Sequence, residues 1–309
     1  MIKLLSYATA DNPRVRAGFL DGDHVFDAAA AFAALGFVDT TGGVDPASVL
    51  SIVQSFDRCL PLLEQFAKAG KPGTALPLKA VKFSAPLLYP QNIFCAAANY
   101  QDHFREMSGK DIDKTTLKPY FFLKVARQTV IGTGAEIRRP RITGKLDWEA
   151  EIAVIIGRAG RNITLDNALD HLAGYTIIND LSAREYIRRA DWPTLSSDWL
   201  WQKSFDTSAP MGPWITLRSD VADPQNLSIR TWVNGQLEQD THSKYMVFTI
   251  REQIAALSEH FTLMPGDVIA SGTGSGVGHP KQRYLNPGDR CRIEIEGLGA
   301  IENEIVQGE

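Results

Sequence analysis

The stretch Asp147-Trp148-Glu149-Ala150-Glu151-Ile152-Ala153-Val154-Ile155-Ile156 constrains the fold more than any other part of the chain. Side chains alternate faces along a strand, which sets Asp147, Glu149 and Glu151 on one face and Trp148, Ile152 and Val154 on the other. The carboxylates of Glu149 and Glu151 then converge on one point. Further on, the run Tyr175-Thr176-Ile177-Ile178 ends at Asn179-Asp180, a third carboxylate at a strand terminus. Three carboxylates without a thiolate or His cluster make the ligand set of a hard cation such as Mg²⁺, with positions left for water or substrate. A Glu-x-Glu strand equally fits the wet face of a half-buried sheet.

Composition excludes several classes. Basic and acidic residues number 32 and 36, for a net charge of −4. No block of like charges is present, which argues against a nucleic-acid or anionic-membrane partner. No segment approaches the roughly 18 apolar residues of a membrane-crossing helix, and the Met1–Tyr7 start has too short an apolar core for a signal peptide. Cys59, Cys95 and Cys291 lie far apart without metal-type spacing, so a reduced, cytoplasmic protein is expected.

The chain divides into a small α+β part, 1–85, and a larger part, 86–309. In the first, short strands at 16–20 and 24–26 flank an Asp21-Gly22-Asp23 turn, followed by helical stretches at 28–35 and 47–67. In the second, Gly and Pro turns punctuate short strands. Asn234-Gly235 signals a two-residue hairpin, and Gly297-Leu298-Gly299 a closing one. Two helices interrupt the strands: Thr164 caps 165–173, which Gly174 ends, and Thr249 with Glu252 forms a capping box ahead of Ile254, Leu257 and Phe261. The fold class expected is α+β, dominated by strands.

Other candidates for chemistry are few. His103 and Glu106, three apart after the 94–98 strand, share a helix face on which the carboxylate can orient a general base; a solvated helix face has the same spacing. Lys124 and Lys203 each read as a functional ammonium or as an ordinary strand-end or surface cation. Ser271-Gly272-Thr273-Gly274-Ser275-Gly276-Val277-Gly278 offers backbone N–H groups for an anion nest, or is a glycine-rich turn without a ligand. Pro280 blocks the helix that a dinucleotide fingerprint requires there.

Taken in order, Asn-Tyr-x-x-His-x-x-Glu (99–106), Phe-x-x-Lys (121–124), Trp-Glu-x-Glu (148–151), Asn-Asp-x-Ser-Ala-Arg (179–184), Lys-Ser-Phe-Asp-Thr (203–207), Pro-Met-Gly-Pro (210–213), Val-Asn-Gly (233–235), Pro-Gly-Asp (265–267) and Ser-Gly-Thr-x-Ser-Gly-Val-Gly (271–278) resemble the fumarylacetoacetate hydrolase family, in particular an acylpyruvate hydrolase-like member. The resemblance implies a mixed β-sandwich roll, a homodimer, and a divalent metal, Mg²⁺ or Mn²⁺, which Ca²⁺ can replace in crystals. It makes Glu149, Glu151 and Asp180 the metal ligands, His103 and Glu106 the base and its partner, and Lys124 and Lys203 polarising cations. Gly272, Thr273 and Arg184 become substrate contacts. Two departures stand out: Val125 follows Lys124 where the family has Pro, and Ile187 occupies a place where some members carry Gln.

The resemblance further implies a 2-oxo acid substrate and hydrolysis of the carbon–carbon bond of a 2,4-dioxo acid to pyruvate and a carboxylic acid. Phe104 through Pro119 reads as a polar lid after the His–Glu pair. Arg188 and Arg189, in a Trp-rich insert, suit a second substrate carboxylate, as in maleylpyruvate or fumarylpyruvate, or alternatively a dimer interface. Oxaloacetate decarboxylation, isomerisation or hydration of unsaturated 2-oxo acids, cleavage of a sugar-acid diketone, and a non-catalytic dimeric scaffold are the alternatives.

Overall fold

The computed structural model describes residues 2–68, 73–195 and 197–309. Its centre is the strand Ala150–Ile156, antiparallel to Leu172–Asn179 on one side and to Val268–Ala270 on the other. These belong to a 12-stranded sheet whose main path runs from Ala75–Pro77 through His24–Asp27, Arg16–Asp21, Lys3–Thr9 and Ala209–Leu217 to this centre. Beyond Val268–Ala270 it continues through Ile93–Ala97 to Tyr120–Lys124. A second sheet has five strands, in the order Gln236–His242, Ser228–Val233, Arg290–Ile295, Gly299–Gln307 and Ile137–Arg139.

Period two explains how the layers stack. Ile152, Val154 and Ile156 pack with Ile229, Ile293 and Ile301 of the five-stranded sheet. Ala153 and Ile155 share a core with Ile52, Leu63 and Phe66 of the helices Val49–Gln54 and Phe56–Lys68. The strand is therefore covered on both faces and buried along its whole length, so it is no half-wet edge. Each fully buried Ile or Leu in these clusters contributes roughly 1.5–3 kcal/mol. Together the two sheets and their few helices form the strand-dominated α+β sandwich expected.

Several local features match their sequence signals. Asn234 and Gly235 adopt φ of 52° and 79°, the left-handed pair that a tight hairpin turn needs. The capping box of Thr249 and Glu252 opens the helix Ile250–His260. The 165–173 helix is different: only a 3-10 turn, Ala168–His171, forms, and Leu172 already begins a strand. Gly174 is consequently no helix stop. It lies where a Cβ would come within 2.1 Å of the Thr216 carbonyl oxygen, so glycine lets the neighbouring strand approach. The 47–67 stretch is two helices divided at Ser55.

The expected boundary at residue 85 is bridged in two ways. Lys3 and Leu4 pair with Thr216 and Ile215, and one apolar cluster joins Phe19 and Phe32 to Met211 and Ile178. No helix among the described residues is long and apolar enough to cross a membrane.

Candidate active site

Strand register assembles the carboxylates. Ala150 pairs with Asn179, so the two strand ends lie level and the Asp180 N–H donates to the Glu149 carbonyl at 2.9 Å. The Glu149 N–H donates in turn to Asn179 Oδ1 at 3.0 Å. Oxygens of Glu149, Glu151 and Asp180 lie within 4.8 Å of one another, and all three residues are buried. Asp147 does not join them. The strand is interrupted at Trp148 and Glu149, and Asp147 turns to accept the N–H groups of Gly278 and His279 at 2.7 and 3.0 Å.

Cations brace two of the three acids. Lys203 Nζ donates to Glu149 Oε2 at 2.6 Å and to Asp180 Oδ2 at 2.7 Å. Lys124 Nζ lies 2.7 Å from Asp180 Oδ1. Arg184 spans Asp147 Oδ2 and Glu149 Oε1 at 2.8 and 2.7 Å, so its guanidinium is engaged by protein carboxylates although it lines the cavity. Burial opposes ionisation of Glu149, but Lys203 and Arg184 outweigh it and hold the carboxyl at about 2. Glu151 behaves oppositely: burial, then the charges of Asp180 and Glu149, push it well above the usual range. Burial lowers Lys124 despite its Asp180 partner, whereas Asp180 and Glu149 overcome burial to raise Lys203.

This charge distribution tests the cluster as a metal centre. Three buried hard oxygen donors converge, and among the described residues Glu151 has no direct cationic partner to balance its charge. A divalent cation would supply it, so the residues fit the group.

His103 and Glu106 lie on the helix Gln101–Ser108, with Nδ1 and Oε1 3.0 Å apart. That contact leaves Nε2 for the cavity that His103 lines. The glycine loop after Val268–Ala270 fastens the helix: Ser275 Oγ donates to Asp102 Oδ2 at 2.7 Å, and the Gly276 N–H to Glu106 Oε2 at 3.0 Å. The Gly272 N–H donates to Glu151 Oε2 at 2.7 Å. The N–H groups of Gly272, Ser275 and Gly276 thus donate to three different carboxylates of the protein itself, Glu151, Asp102 and Glu106. Gly276 is obligatory there, with φ of 99° and a Cβ position 2.2 Å from the Glu238 carbonyl oxygen. Within the loop, Thr273 lines the cavity, and its Oγ accepts from Gln239 Nε2 at 2.9 Å.

The cavity has a volume of about 370 Å³. His103, Glu149, Glu151, Lys203 and Thr273 form its polar side; Phe104, Met107, Tyr120, Phe122 and Trp199 form an apolar wall. Arg188 and Arg189 are not among its lining residues. Arg188 is exposed, and Arg189 pairs with Asp191 and Asp198 at 2.5 and 2.7 Å while stacking 4.9 Å from the Trp201 ring centre. Replacing both arginines with Ala is therefore expected to leave the ratio of kcat/KM for maleylpyruvate to that for acetylpyruvate unchanged. A selective loss on maleylpyruvate would restore them as carboxylate contacts.

Sequence reasoning missed Asp102, Gln202 and Gln239. A single polar residue on a short helix, as Asp102 and Gln202 are, or in a strand, as Gln239 is, carries no periodic signal of its own. Asp102 beside His103 and Gln202 beside Lys203 stood next to residues already singled out, whereas Gln239 did not.

The model of the fumarylacetoacetate (FAA) hydrolase C-terminal domain matches residues 92–306. The chain is 37% identical over 271 residues to oxaloacetate tautomerase YisK of Bacillus subtilis (strain 168), covering 84% of this chain and 87% of that one. It is 38% identical over 233 residues to the mitochondrial oxaloacetate tautomerase FAHD2B of Homo sapiens, covering 75% and 71%. Among solved structures, maleylpyruvate hydrolase from Sphingobium sp. SYK-6, in complex with manganese(II) and pyruvate, aligns with a TM-score of 0.76 at 27% identity, over 99% of this chain and 100% of that one.

Proposed function

The chain belongs to the fumarylacetoacetate hydrolase family, and from that premise we propose that it is a divalent-metal enzyme that interconverts the keto and enol forms of oxaloacetate or a closely similar 2-oxo acid. One observation carries the reading: a histidine oriented by a carboxylate stands on the wall of the cavity that Glu149 and Glu151 of the three-carboxylate cluster also line. Tautomerisation needs a base for the proton at C3 and a positive environment for the charge that develops on the 2-oxo oxygen. Glu149, Glu151 and Asp180 would hold the cation, which as a Lewis acid would polarise that oxygen.

The chain's own groups do the rest. His103 Nε2 takes the C3 proton, the Glu106 carboxylate at Nδ1 stabilises the imidazolium, and return of that proton to the 2-oxo oxygen gives the enol, the same steps running backward for ketonisation. Lys203 adds positive potential while holding Glu149 and Asp180 through direct ion pairs. The apolar wall excludes water, so each interaction is stronger than in solution. Identity above a third to two oxaloacetate tautomerases supports the substrate class.

Hydrolysis of an acylpyruvate is the second reading. It is favoured by the likeness to maleylpyruvate hydrolase and by the same His103–Glu106 pair, which can deprotonate water. A homodimer and a cytoplasmic location stay part of the proposal, though the human relative is mitochondrial by name. The deciding measurement follows the decay of enol-oxaloacetate absorbance and, separately, pyruvate release from maleylpyruvate and acetylpyruvate, with Mg²⁺ or Mn²⁺ present. Metal-dependent acceleration of enol decay without pyruvate release is the expected result. Rapid pyruvate release from an acylpyruvate, with no effect on the enol, would assign the hydrolase reading instead.

A further inference from the structure

Gln202 is 2% exposed and lines the cavity beside Lys203, and its buried Oε1 has no hydrogen-bond partner among the described residues. Buried polar atoms are mostly paired, so a cavity-lining carboxamide whose oxygen is held by nothing is left free to turn toward an outside group. The other strongly polar side chains of the cavity are committed to one another. Lys203 and Arg184 hold Glu149, Glu151 accepts the Gly272 N–H, His103 pairs with Glu106, and Thr273 accepts from Gln239.

We propose that Gln202 is the residue that reads the part of the substrate beyond its 2-oxo acid end. The proposal rests on the function above, in which that end lies against the carboxylate cluster. A carboxamide rotates to present either Nε2–H or Oε1, and for oxaloacetate the Nε2–H face donates to an oxygen of the C4 carboxylate. A neutral amide fits this task where a fourth cation would not: Lys124, Lys203 and Arg184 already crowd the cluster, and another positive charge would weaken the hold on a metal. The apolar surroundings of Phe122 and Trp199 strengthen a single hydrogen bond made there.

The test uses the metal-loaded protein and two ligands. Oxalate carries only the chelating end; oxaloacetate adds the C4 carboxylate. Binding is read from the fluorescence of the cavity tryptophan, Trp199, and turnover from enol decay. Gln202→Met keeps the volume and removes the amide. It is expected to lower oxaloacetate affinity and kcat/KM by roughly ten- to a hundredfold while leaving oxalate affinity within about twofold. Gln202→Glu places a like charge against C4 and is expected to be worse than Gln202→Met for oxaloacetate, yet tolerated by acetylpyruvate, whose distal end is uncharged. Equal losses for oxalate and oxaloacetate would reduce Gln202 to a packing role, and an unchanged ratio in both variants would overturn the proposal outright. If wild-type protein binds oxaloacetate without turning it over, the tautomerase reading fails, while the affinity comparison still decides the role of Gln202.

Discussion

Asp180→Asn and Glu149→Gln are expected to weaken Mn²⁺ binding by more than roughly 100-fold, because they remove a direct ligand and even outer groups that orient ligands are worth 10–100-fold. The two substitutions should also destabilise the metal-free protein. Each takes away one of the two carboxylates that hold Lys203, and Asp180→Asn also leaves the buried Lys124 without its carboxylate, the situation that costs roughly 3–5 kcal/mol, so Asp180→Asn is expected to be the more destabilising of the two. Glu151→Gln separates the two effects. Its carboxyl already lies well above the usual range, so the neutral amide resembles the form that burial favours. That variant should lose metal affinity with little loss of thermal stability. Isothermal titration with Mn²⁺ beside thermal melts would check all three, and unchanged affinity in any one would remove that residue from the metal centre. The pH dependence has a definite sign. Glu149, held at about 2 against an ordinary 4.5, contributes stability that is present above 4.5 and is lost as pH falls toward 2.

His103→Ala should lose roughly 10²–10⁴-fold in turnover while retaining metal binding. The imidazole is the cavity's one evident proton acceptor outside the carboxylate cluster among the described residues, and Glu106 gives it its orientation. Glu106→Gln keeps the geometry but withdraws the charge that stabilises the imidazolium, so a smaller loss is expected. Solvent-deuterium exchange into C3 of oxaloacetate would report proton transfer directly. Wild-type exchange rates in the His103 variant would mean that another group moves the proton.

These residues show what a sequence displays and what it conceals. Glu149, Glu151 and Asp180 could be read because two strand termini need only local alternation and an apolar run to be recognised, and register then brings them together. His103 and Glu106 could be read because three residues along a helix return to the same face. Asp147 kept the right spacing yet left its face, since the strand breaks at Trp148 and the N–H groups of Gly278 and His279 capture its carboxylate. Gly174 resembled a helix stop because a glycine after an apolar stretch serves either a turn or a close strand contact. The glycine loop concealed most. Its donors are main-chain groups whose partners, Glu106 and Glu151, are distant in sequence.

The pairing of Lys3 and Leu4 with the strand Ala209–Leu217 bears on how this protein can be taken apart. A fragment beginning at residue 86 would lose the neighbour of that strand and uncover Met211, Ile215 and Ile178, which are buried with Phe19, Ile52 and Phe66 in the intact chain. An open edge beside bare apolar surface invites self-association. Asp180 follows directly on the next strand inward, so disorder spreading from the cut edge has only one strand to cross before it reaches a candidate metal ligand. For anyone grafting active sites between relatives or seeking a minimal catalyst, a transplantable piece has to keep the N-terminal strands of the twelve-stranded layer together with the part that follows them.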